Sequence, residues 1–259
     1  MTVSIIFTVL LVACIGSFLS GMLGIGGAIV NYPLLLLVPK LLGFEGFTAH
    51  EVSGIVAVQV FFSTLTGVLS FRKDGYLNKN LVMTMGISVL ISSFIGGYFS
   101  HFLSDNIINI TYGILALLAA ILMMIPAPEN DIHKRASLQY NKILAVLFSI
   151  LIGLGAGVVG AGGAFLLVPV MITILKIPTR VTIATSLGVT FISSIGTTLG
   201  KIMTGEVLLF PAVIVIIAST VASPLGVKLS KIINTKYLRV LLAVLIFMTT
   251  VKIWLDILY

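Results

Sequence analysis

The sequence predicts an all-α polytopic membrane protein, built as an inverted repeat of about five plus five membrane segments. Three observations predict this class: an apolar composition, a glycine cluster that occurs twice, and basic residues that fall mostly on one side. Hydrophobic residues make up 59% of the 259 residues and charged residues only 9%, and the mean hydropathy is +1.23. This composition is too apolar for a soluble domain of this size.

Ten apolar runs follow one another along the chain. They lie at residues 2–20, 28–39, 50–71, 80–101, 105–126, 142–158, 164–176, 181–203, 207–230 and 237–258. Most approach the ~20 residues that a helix needs to cross the hydrocarbon core. The runs at 28–39 and 164–176 are shorter. A helix of about 12 residues is only ~18 Å long, so we expect two half-helices there.

The glycine cluster separates the first two runs of each half. Residues 21–28 read GMLGIGGA and residues 157–164 read GVVGAGGA, with Pro33 and Pro169 following at the same offset, since 160 − 24 and 169 − 33 both give 136. A duplicated backbone-breaking motif in an apolar chain indicates a transporter built from two repeats. The repeat of its glycine end within the chain also favours the first run as a membrane segment over a cleaved signal peptide.

Charge predicts the topology. If each cluster joins two membrane segments, twelve of the fifteen Lys and Arg residues lie on one side, and only Lys40, Lys201 and Lys252 on the other. The positive-inside rule therefore favours five plus five segments with both termini outside. The predicted organisation is a first transmembrane repeat at 1–127, a cytoplasmic linker at 128–141 and a second repeat at 142–259. Re-entrant hairpins at the clusters would have the same parity. The loop bias accounts for the net charge of +7 and requires no nucleic-acid partner.

The clusters are candidate parts of an anion site. Glycine permits positive φ and close backbone approach, and irregular backbone at membrane depth is tolerated where it lines a cavity. The N-termini of two half-helices, converging from opposite sides, would bind an anion through their dipoles. The glycines concerned are Gly24, Gly26, Gly27, Gly160, Gly162 and Gly163. Tight helix crossing is the alternative role for these residues.

The doubled motif, with its trailing prolines and a length near 260 residues, resembles the sulfite exporter TauE/SafE family of bacterial permeases. The resemblance covers nearly the whole chain. Members of the family are exporters or permeases for sulfite, sulfoacetate and related sulfur-containing or organic anions, so the resemblance implies anion transport across the cytoplasmic membrane, with export of sulfite or an organosulfonate as the expected case, and it does not identify the anion. It assigns the cluster glycines to the site and Pro33 and Pro169 to a structural role. The second half carries Ala184-Thr185-Ser186, as the family does, whereas the first half reads Glu51-Val52-Ser53-Gly54. Whether both halves contact the substrate equally therefore stays open.

Two polar helix faces flank the clusters. One carries Gln59, Ser63, Thr66 and Ser70, and the other carries Ser186, Thr190, Ser193 or Ser194, Thr197 and Lys201. Their spacing places each set on one side of a helix, where hydroxyl and amide groups can bind an oxyanion without a repelling carboxylate. Packing between helices is the alternative. Asn31 lies one turn into the first half-helix, while its counterpart at the same offset is Leu167.

His50 and Glu51 open the third run and are candidates for proton coupling, since histidine titrates near neutral pH; an ordinary helix N-terminus is the alternative. No Walker motif, nucleophile–base pair or metal-ligand set is present in the sequence, which predicts no enzyme, no cofactor and no metal. We therefore expect a secondary transporter of a small anion in a lipid bilayer, of unspecified oligomeric state. The alternatives are an importer of another organic anion, a cation or metal permease, and a membrane assembly protein.

Overall fold

The computed structural model describes residues 3–71, 75–125 and 140–258, and within these ranges it contains ten α-helices and one short 3₁₀-helix. The α-helices are α1 Val3–Leu23, α2 Ala28–Leu41, α3 Ala49–Phe71, α4 Lys79–Phe99, α5 Asp105–Met124, α6 Lys142–Val159, α7 Ala164–Thr173, α8 Thr179–Met203, α9 Leu209–Ile232 and α10 Thr235–Leu258. The 3₁₀-helix is Ser100–Phe102. The predicted all-α class is confirmed. All but the last two residues of the expected linker at 128–141 lie outside the described residues.

Eight of these helices are long and apolar enough to cross a membrane. The exceptions are α2 and α7, with 14 and 10 residues, as their short apolar runs predict. Helix α7 ends three residues before its run does, because the hydrogen bonds Leu175 N to Val170 O and Ile177 N to Met171 O widen its last turn. Pro178 then follows, and the residue before a proline is held away from helical geometry.

The direction of each long helix follows from its contacts. Ser17 on α1 lies 2.9 Å from Ser219 on α9, and Gly21 packs on Ser223. Because the numbers of the contacting residues rise together along both helices, α1 and α9 are parallel. Ser20 Oγ lies 3.0 Å from Ser63 Oγ, and with the Ser17 contact to Gln59 this makes α3 parallel to α1.

Helices α4, α6 and α8 run the opposite way. On α3, Ser53 accepts a hydrogen bond from Lys201, whereas Ala57, one turn later, accepts one from Thr198, so α3 and α8 are antiparallel. Gly86 and Gly200 show that α4 and α8 are parallel, since Gly86 packs on Ile192 and Gly200 packs on Tyr98. Contacts of α6 with α4 advance in the same sense, from Gly153 against Val89 and Ser92 to Gly157 against Ser93 and Gly97.

Two faces of the bundle can then be named. The Glu206 end is where α3 and α5 begin and α8 ends; the Arg180 end is where α3 ends and α8 begins. Among the eight long helices, α3 and α8 are the most enclosed, with 67% and 72% of their apolar windows buried. Helices α4 and α9 instead expose apolar stripes every fourth residue, such as Met83, Ile87 and Ile91 on α4. These stripes suit contact with lipid.

Close helix contacts occur in matched pairs. Gly21 packs on the main chain of Ser223, and Gly157 packs on that of Ser93. The partners correspond, since 157 − 21 gives 136 and 223 − 93 gives 130. A methyl group on either glycine would overlap the opposing carbonyl oxygen, so the small residue is what allows the helices to approach so closely.

Candidate functional site

Each glycine cluster reverses the chain through left-handed backbone. The φ angles of Gly24, Gly26 and Gly27 lie between 71° and 76°, and those of Gly160, Gly162 and Gly163 between 61° and 80°. Residues with a Cβ rarely adopt this conformation. Each cluster thereby ends one helix and starts a half-helix in the opposite direction within four residues.

The two clusters meet at the middle of α3 and α8. A methyl carbon placed on Gly26 would lie 3.2 Å from both Val60 Cγ1 and Thr190 Cγ2. One placed on Gly162 would lie 2.9 Å from Val60 and 3.0 Å from Thr190. Val60 and Thr190 sit near the midpoints of α3 and α8. The clusters therefore converge at mid-depth, on one shared pair of side chains.

The outer glycine of each cluster packs against the opposite half. Gly24 lies against Ile183 on α8, and Gly160 lies against Ser53 on α3. These partners again differ by 130, and Ser186 adds a hydrogen bond of 2.9 Å from its Oγ to the Gly24 carbonyl. A side chain at either glycine would collide with main chain, so both positions require glycine for close approach as well as for φ.

The half-helices point their N-termini at this centre. Helix α2 begins at Ala28 and α7 at Ala164, and the N-cap residues Gly27 and Gly163 supply no side-chain hydrogen bond to the first turn. Partial positive charge accumulates at a helix N-terminus, where the first N–H groups lack helical partners. Two such ends at mid-depth favour a negatively charged ligand.

On α3, the first two residues of the predicted polar face contact α1, and the second of them, Ser63, also lies beside the first glycine cluster. Gln59 Nε2 donates to Ser17 Oγ at 3.0 Å, while Gln59 Oε1 is buried with no hydrogen-bond partner among the described residues. Ser63 Oγ lies 3.0 Å from Ser20 Oγ and 3.5 Å from the carbonyl of Gly26. Further along, Thr66 and Ser70 bond their own helix instead.

The polar face of α8 divides in the same way. The methyl carbon Cγ2 of Thr190 faces both clusters, and its Oγ1 is buried without a hydrogen-bond partner among the described residues. Ser193 Oγ is likewise buried without a partner there, whereas Ser194 Oγ donates to the carbonyl of Phe191 in its own helix at 2.7 Å. Thr190 and Ser186 therefore contact the glycine clusters, and Ser194 makes the ordinary bond of a hydroxyl in a membrane helix.

Asn31 is the most conspicuous polar group near the centre. Its side chain is fully buried against Gly16 on α1, and within the described parts of the chain neither amide atom has a hydrogen-bond partner. An unsatisfied buried amide destabilises a fold by about 1–3 kcal/mol. Leu167, the counterpart on α7, is equally buried and apolar. The unpaired amide is thus confined to the first half.

The structure separates the two residues expected to couple protons. His50 Nδ1 lies 2.7 Å from Asp105 Oδ1, and its Nε2 lies 3.2 Å from the carbonyl oxygen of Ser100. Glu51 Oε2 instead accepts a hydrogen bond from the N–H of Thr48, whose hydroxyl accepts from the Glu51 N–H. This reciprocal pair is a capping box at the start of α3.

Lys201 and Glu206 form a site that the sequence pattern did not reveal. Lys201, the last residue of the predicted polar face of α8, is fully buried, and its Nζ lies 2.5 Å from Glu206 Oε2. No other charged side chain is buried in the described ranges. The signal in the sequence is a glutamate five residues after a lysine, across a turn at Gly205. Glu206 was overlooked because it precedes an apolar run and does not lie within one.

Openings to the surface differ between the two ends. At the Glu206 end a cavity of about 470 Å³ is lined by Lys40, Thr48, Asp105, Asn106 and Asn109, among others. At the Arg180 end a much smaller one, about 10 Å³, lies beside Arg180 and Lys231. Arg180 donates to the carbonyls of Lys231 and Ile233, each at 3.2 Å.

Comparison with known proteins agrees with this architecture. A probable membrane transporter protein, YunE of Bacillus subtilis, is 23% identical over 93% of this chain and 94% of its own length. A probable membrane transporter protein of Methanocaldococcus jannaschii is 27% identical over 90% of each chain. No solved structure matches the chain.

The sequence profile of one family spans almost the entire chain. The profile described as sulfite exporter TauE/SafE matches residues 9–253. The match includes both glycine clusters, all of α2 to α9 and most of α1 and α10. The resemblance seen in the glycine motif is therefore confirmed. The chain belongs to the sulfite exporter TauE/SafE family of membrane transporters.

Proposed function

We propose that this protein is a secondary transporter that exports a small anion, sulfite or an organosulfonate, across the cytoplasmic membrane by alternating access. One observation carries the proposal: the two glycine clusters meet at mid-depth against Val60 and Thr190. There, two half-helix N-termini and several uncharged polar side chains converge.

The chemistry of this centre suits an oxyanion. Asn31 and Thr190 offer buried donors that are unpaired within the described residues, and the helix N-termini supply positive potential without a fixed counter-charge. A cation would be bound by carboxylates or carbonyl oxygens instead. The acid at the Glu206 end is already paired with Lys201. The family description supplies sulfite as the first candidate substrate.

An inverted repeat supports alternating access. Helices α1 and α3 run one way and α6 and α8 the other, as their contacts indicate. The matched glycine contacts exchange partners between halves, as expected of two units related by a two-fold axis. Rocking one half against the other would then open the centre to each side in turn.

Basic residues support a cytoplasmic location for the Arg180 end. Lys142, Arg180, Lys231 and Arg239 all lie at this end, and cytoplasmic loops are enriched in such residues. The beginning of α1 and the end of α10 then face outward. The positive charge of this end would attract anions from the cytoplasm, and an inside-negative potential drives their exit at ~2.3 kcal/mol per charge per 100 mV.

The test is anion efflux from liposomes that contain the purified protein. Vesicles loaded with sulfite, taurine, sulfoacetate or acetate are given an inside-negative potassium diffusion potential, and release is followed over time. Faster release of sulfite or sulfonates than from protein-free vesicles supports the proposal. Release of acetate alone would replace the substrate class, and flux of a divalent metal, or no flux, would contradict anion export.

A further inference from the structure

The buried ion pair at the Glu206 end joins the two halves of the chain. Lys201 Nζ donates to Ser53 Oγ and Ser100 Oγ, each at 2.7 Å, and to Glu206 Oε2 at 2.5 Å. The two serines belong to the first half, and Lys201 and Glu206 to the second. All three N–H groups of the ammonium are therefore occupied, but only one of its partners carries charge.

The two serine partners are fixed in place. Ser53 Oγ donates to the carbonyl of His50 at 2.7 Å, and Ser100 Oγ donates to that of Gly97 at 2.6 Å. Each hydroxyl therefore presents a lone pair to the ammonium. Lys201 is thus held by two stationary neutral ligands and one charged ligand.

The charged ligand is held less completely. Glu206 sits in the turn between α8 and α9, and its Oε1 is buried without a hydrogen-bond partner among the described residues. The nearest histidine is His101, whose Nδ1 lies 3.7 Å from Oε1 and whose side chain is 53% exposed. The carboxylate is therefore attached through one oxygen and lies beside a residue that contacts water.

The ion pair lies between the centre and the Glu206 end. Lys201 is three turns beyond Thr190 on the same helix. Its ligand Ser53 packs, through its main chain, against Gly160 of the second glycine cluster. Lys201 is the only fully buried cation in the described structure.

We propose that Lys201 is a second oxyanion site between the centre and the Glu206 end, occupied in this structure by the carboxylate of Glu206. A sulfite or sulfonate oxygen offers the ammonium the same charge and acceptor chemistry as a carboxylate oxygen. The substrate replaces Glu206 as the third hydrogen-bond acceptor of the ammonium, while Ser53 and Ser100 remain bound to it. The identity of the anion rests on the proposed function; the existence of the site does not.

The charge of Glu206 controls the exchange. Glu206 faces Lys201 on α8 and His101 on the 3₁₀-helix, and the His50–Asp105 pair lies behind Ser100. A neutral side chain in place of Glu206 no longer competes for the ammonium with a charge, so Lys201 becomes available to an external anion.

Sulfate binding by the purified full-length chain tests the site directly. Sulfate binding is measured by calorimetry at neutral pH on wild type, Glu206→Gln and the exposed-loop control Glu45→Gln. Glu206→Gln should bind about tenfold more tightly than wild type, within the usual range of coupled sites. Glu45→Gln should follow wild type.

A second variant separates an anion site from a structural latch. Replacing a buried ion pair by apolar residues is often neutral for stability. If the ion pair only holds the two halves together, Lys201→Met/Glu206→Met should therefore keep them together and leave efflux unchanged. We expect this folded double variant to lose sulfite efflux by about tenfold or more. Wild-type efflux from it, or unchanged sulfate binding by Glu206→Gln, would overturn the proposal. If the wild-type protein moves no sulfite at all, the proposed function fails, and the sulfate titration still decides the site.

Discussion

At the scale of single residues, Gly162 combines two demands that can be separated by substitution. Its φ is 61°, and an added methyl would lie 2.9 Å from Val60 and 3.0 Å from Thr190. Gly162→Ala should therefore destabilise the protein by roughly 1–2 kcal/mol through its backbone and also fill the space where the substrate binds. We expect efflux to fall at least about tenfold, more than the loss of folded protein explains. Efflux per folded molecule is the measurement.

Gly43 provides the matched control for this substitution. It has a φ of 78°, in the exposed loop after α2, and a methyl placed there would meet nothing within 4 Å. Gly43→Ala should lower the melting temperature as much as Gly162→Ala does, but leave efflux per folded molecule intact. Equal efflux from the two variants would mean that Gly162 serves the backbone alone.

Asn31 should show an opposition between stability and activity. Leucine has nearly the shape of asparagine, so Asn31→Leu removes a buried amide that is unpaired within the described residues without opening a cavity. We expect the free energy of unfolding to rise by about 1 kcal/mol. Sulfite efflux should fall by roughly tenfold, since a hydrogen bond to a charged ligand contributes about 1.5–3 kcal/mol. Both quantities are measured on the same detergent-purified sample.

Ser88 on α4 serves as the comparison for Asn31, because its hydroxyl donates to the Met85 carbonyl in its own helix at 2.9 Å. Ser88→Ala should change neither efflux nor stability appreciably. Wild-type efflux from Asn31→Leu would remove Asn31 from the site and leave its unpaired amide without a functional explanation.

At the scale of elements, α2 depends on a partner helix to tolerate its proline. Pro33 has no N–H for the carbonyl of Ile29, and the hydroxyl of Tyr112 on α5 donates to that oxygen at 2.5 Å. Tyr112→Phe should cost about 1–3 kcal/mol, because it leaves a buried carbonyl unsatisfied. In a Pro33→Ala background the new N–H takes that oxygen, so the cost should largely disappear. A double-mutant cycle of unfolding free energies measures the difference.

Additive effects in this cycle would contradict the assignment. Tyr112 also stacks on Tyr32, with ring centroids 4.7 Å apart, but phenylalanine preserves the stacking in both backgrounds. The coupling therefore reports the hydrogen bond to Ile29 and not the ring contact.

The elements themselves were largely predictable from the sequence because they depend on apolar length. A run of about 20 apolar residues has few alternatives to a membrane helix, and the short runs became α2 and α7. Helix ends were less predictable. Helix α1 continues through Gly21 to Leu23, because packing on α9 holds the helix where glycine alone would favour its end.

The site was predictable only where its chemistry is local. The clusters around Gly26 and Gly162 can be recognised from their spacing in the sequence. Ser63 and Thr190 can be recognised because each lies on a polar face of its helix. Contacts between distant segments leave no such pattern. The contact of Tyr112 with the backbone before Pro33 depends on how helices pack. The contacts of Ser53 and Ser100 with Lys201 depend on it too. The pair of Lys201 with Glu206 also crosses a turn, and a search limited to apolar runs excludes the acid.

At the scale of the whole molecule, the two halves differ in polarity while their contacts match. Gly21 packs on Ser223, and Gly157 packs on the corresponding Ser93, which indicates that the two halves share one pattern of helix packing. Asn31 corresponds to the apolar Leu167, so the two halves differ at the centre. Lys201 corresponds to Phe71 at the offset of 130, so the halves also differ at the ends. A symmetric scaffold lets both halves close the path equally well, whereas the polar differences allow binding at one end to differ from binding at the other.

The arrangement of the halves in the membrane predicts which loops face the same side. Glu45 precedes α3 and Lys176 precedes α8 in corresponding loops, and both side chains are exposed. In a Cys14→Ala background, which removes the single native cysteine, Glu45→Cys should react with a membrane-impermeant maleimide in intact cells, and Lys176→Cys only after permeabilisation. Labelling of both from one side would indicate parallel repeats. The half-helices α2 and α7 would then enter from the same face, and their dipoles could not oppose each other across one anion at mid-depth.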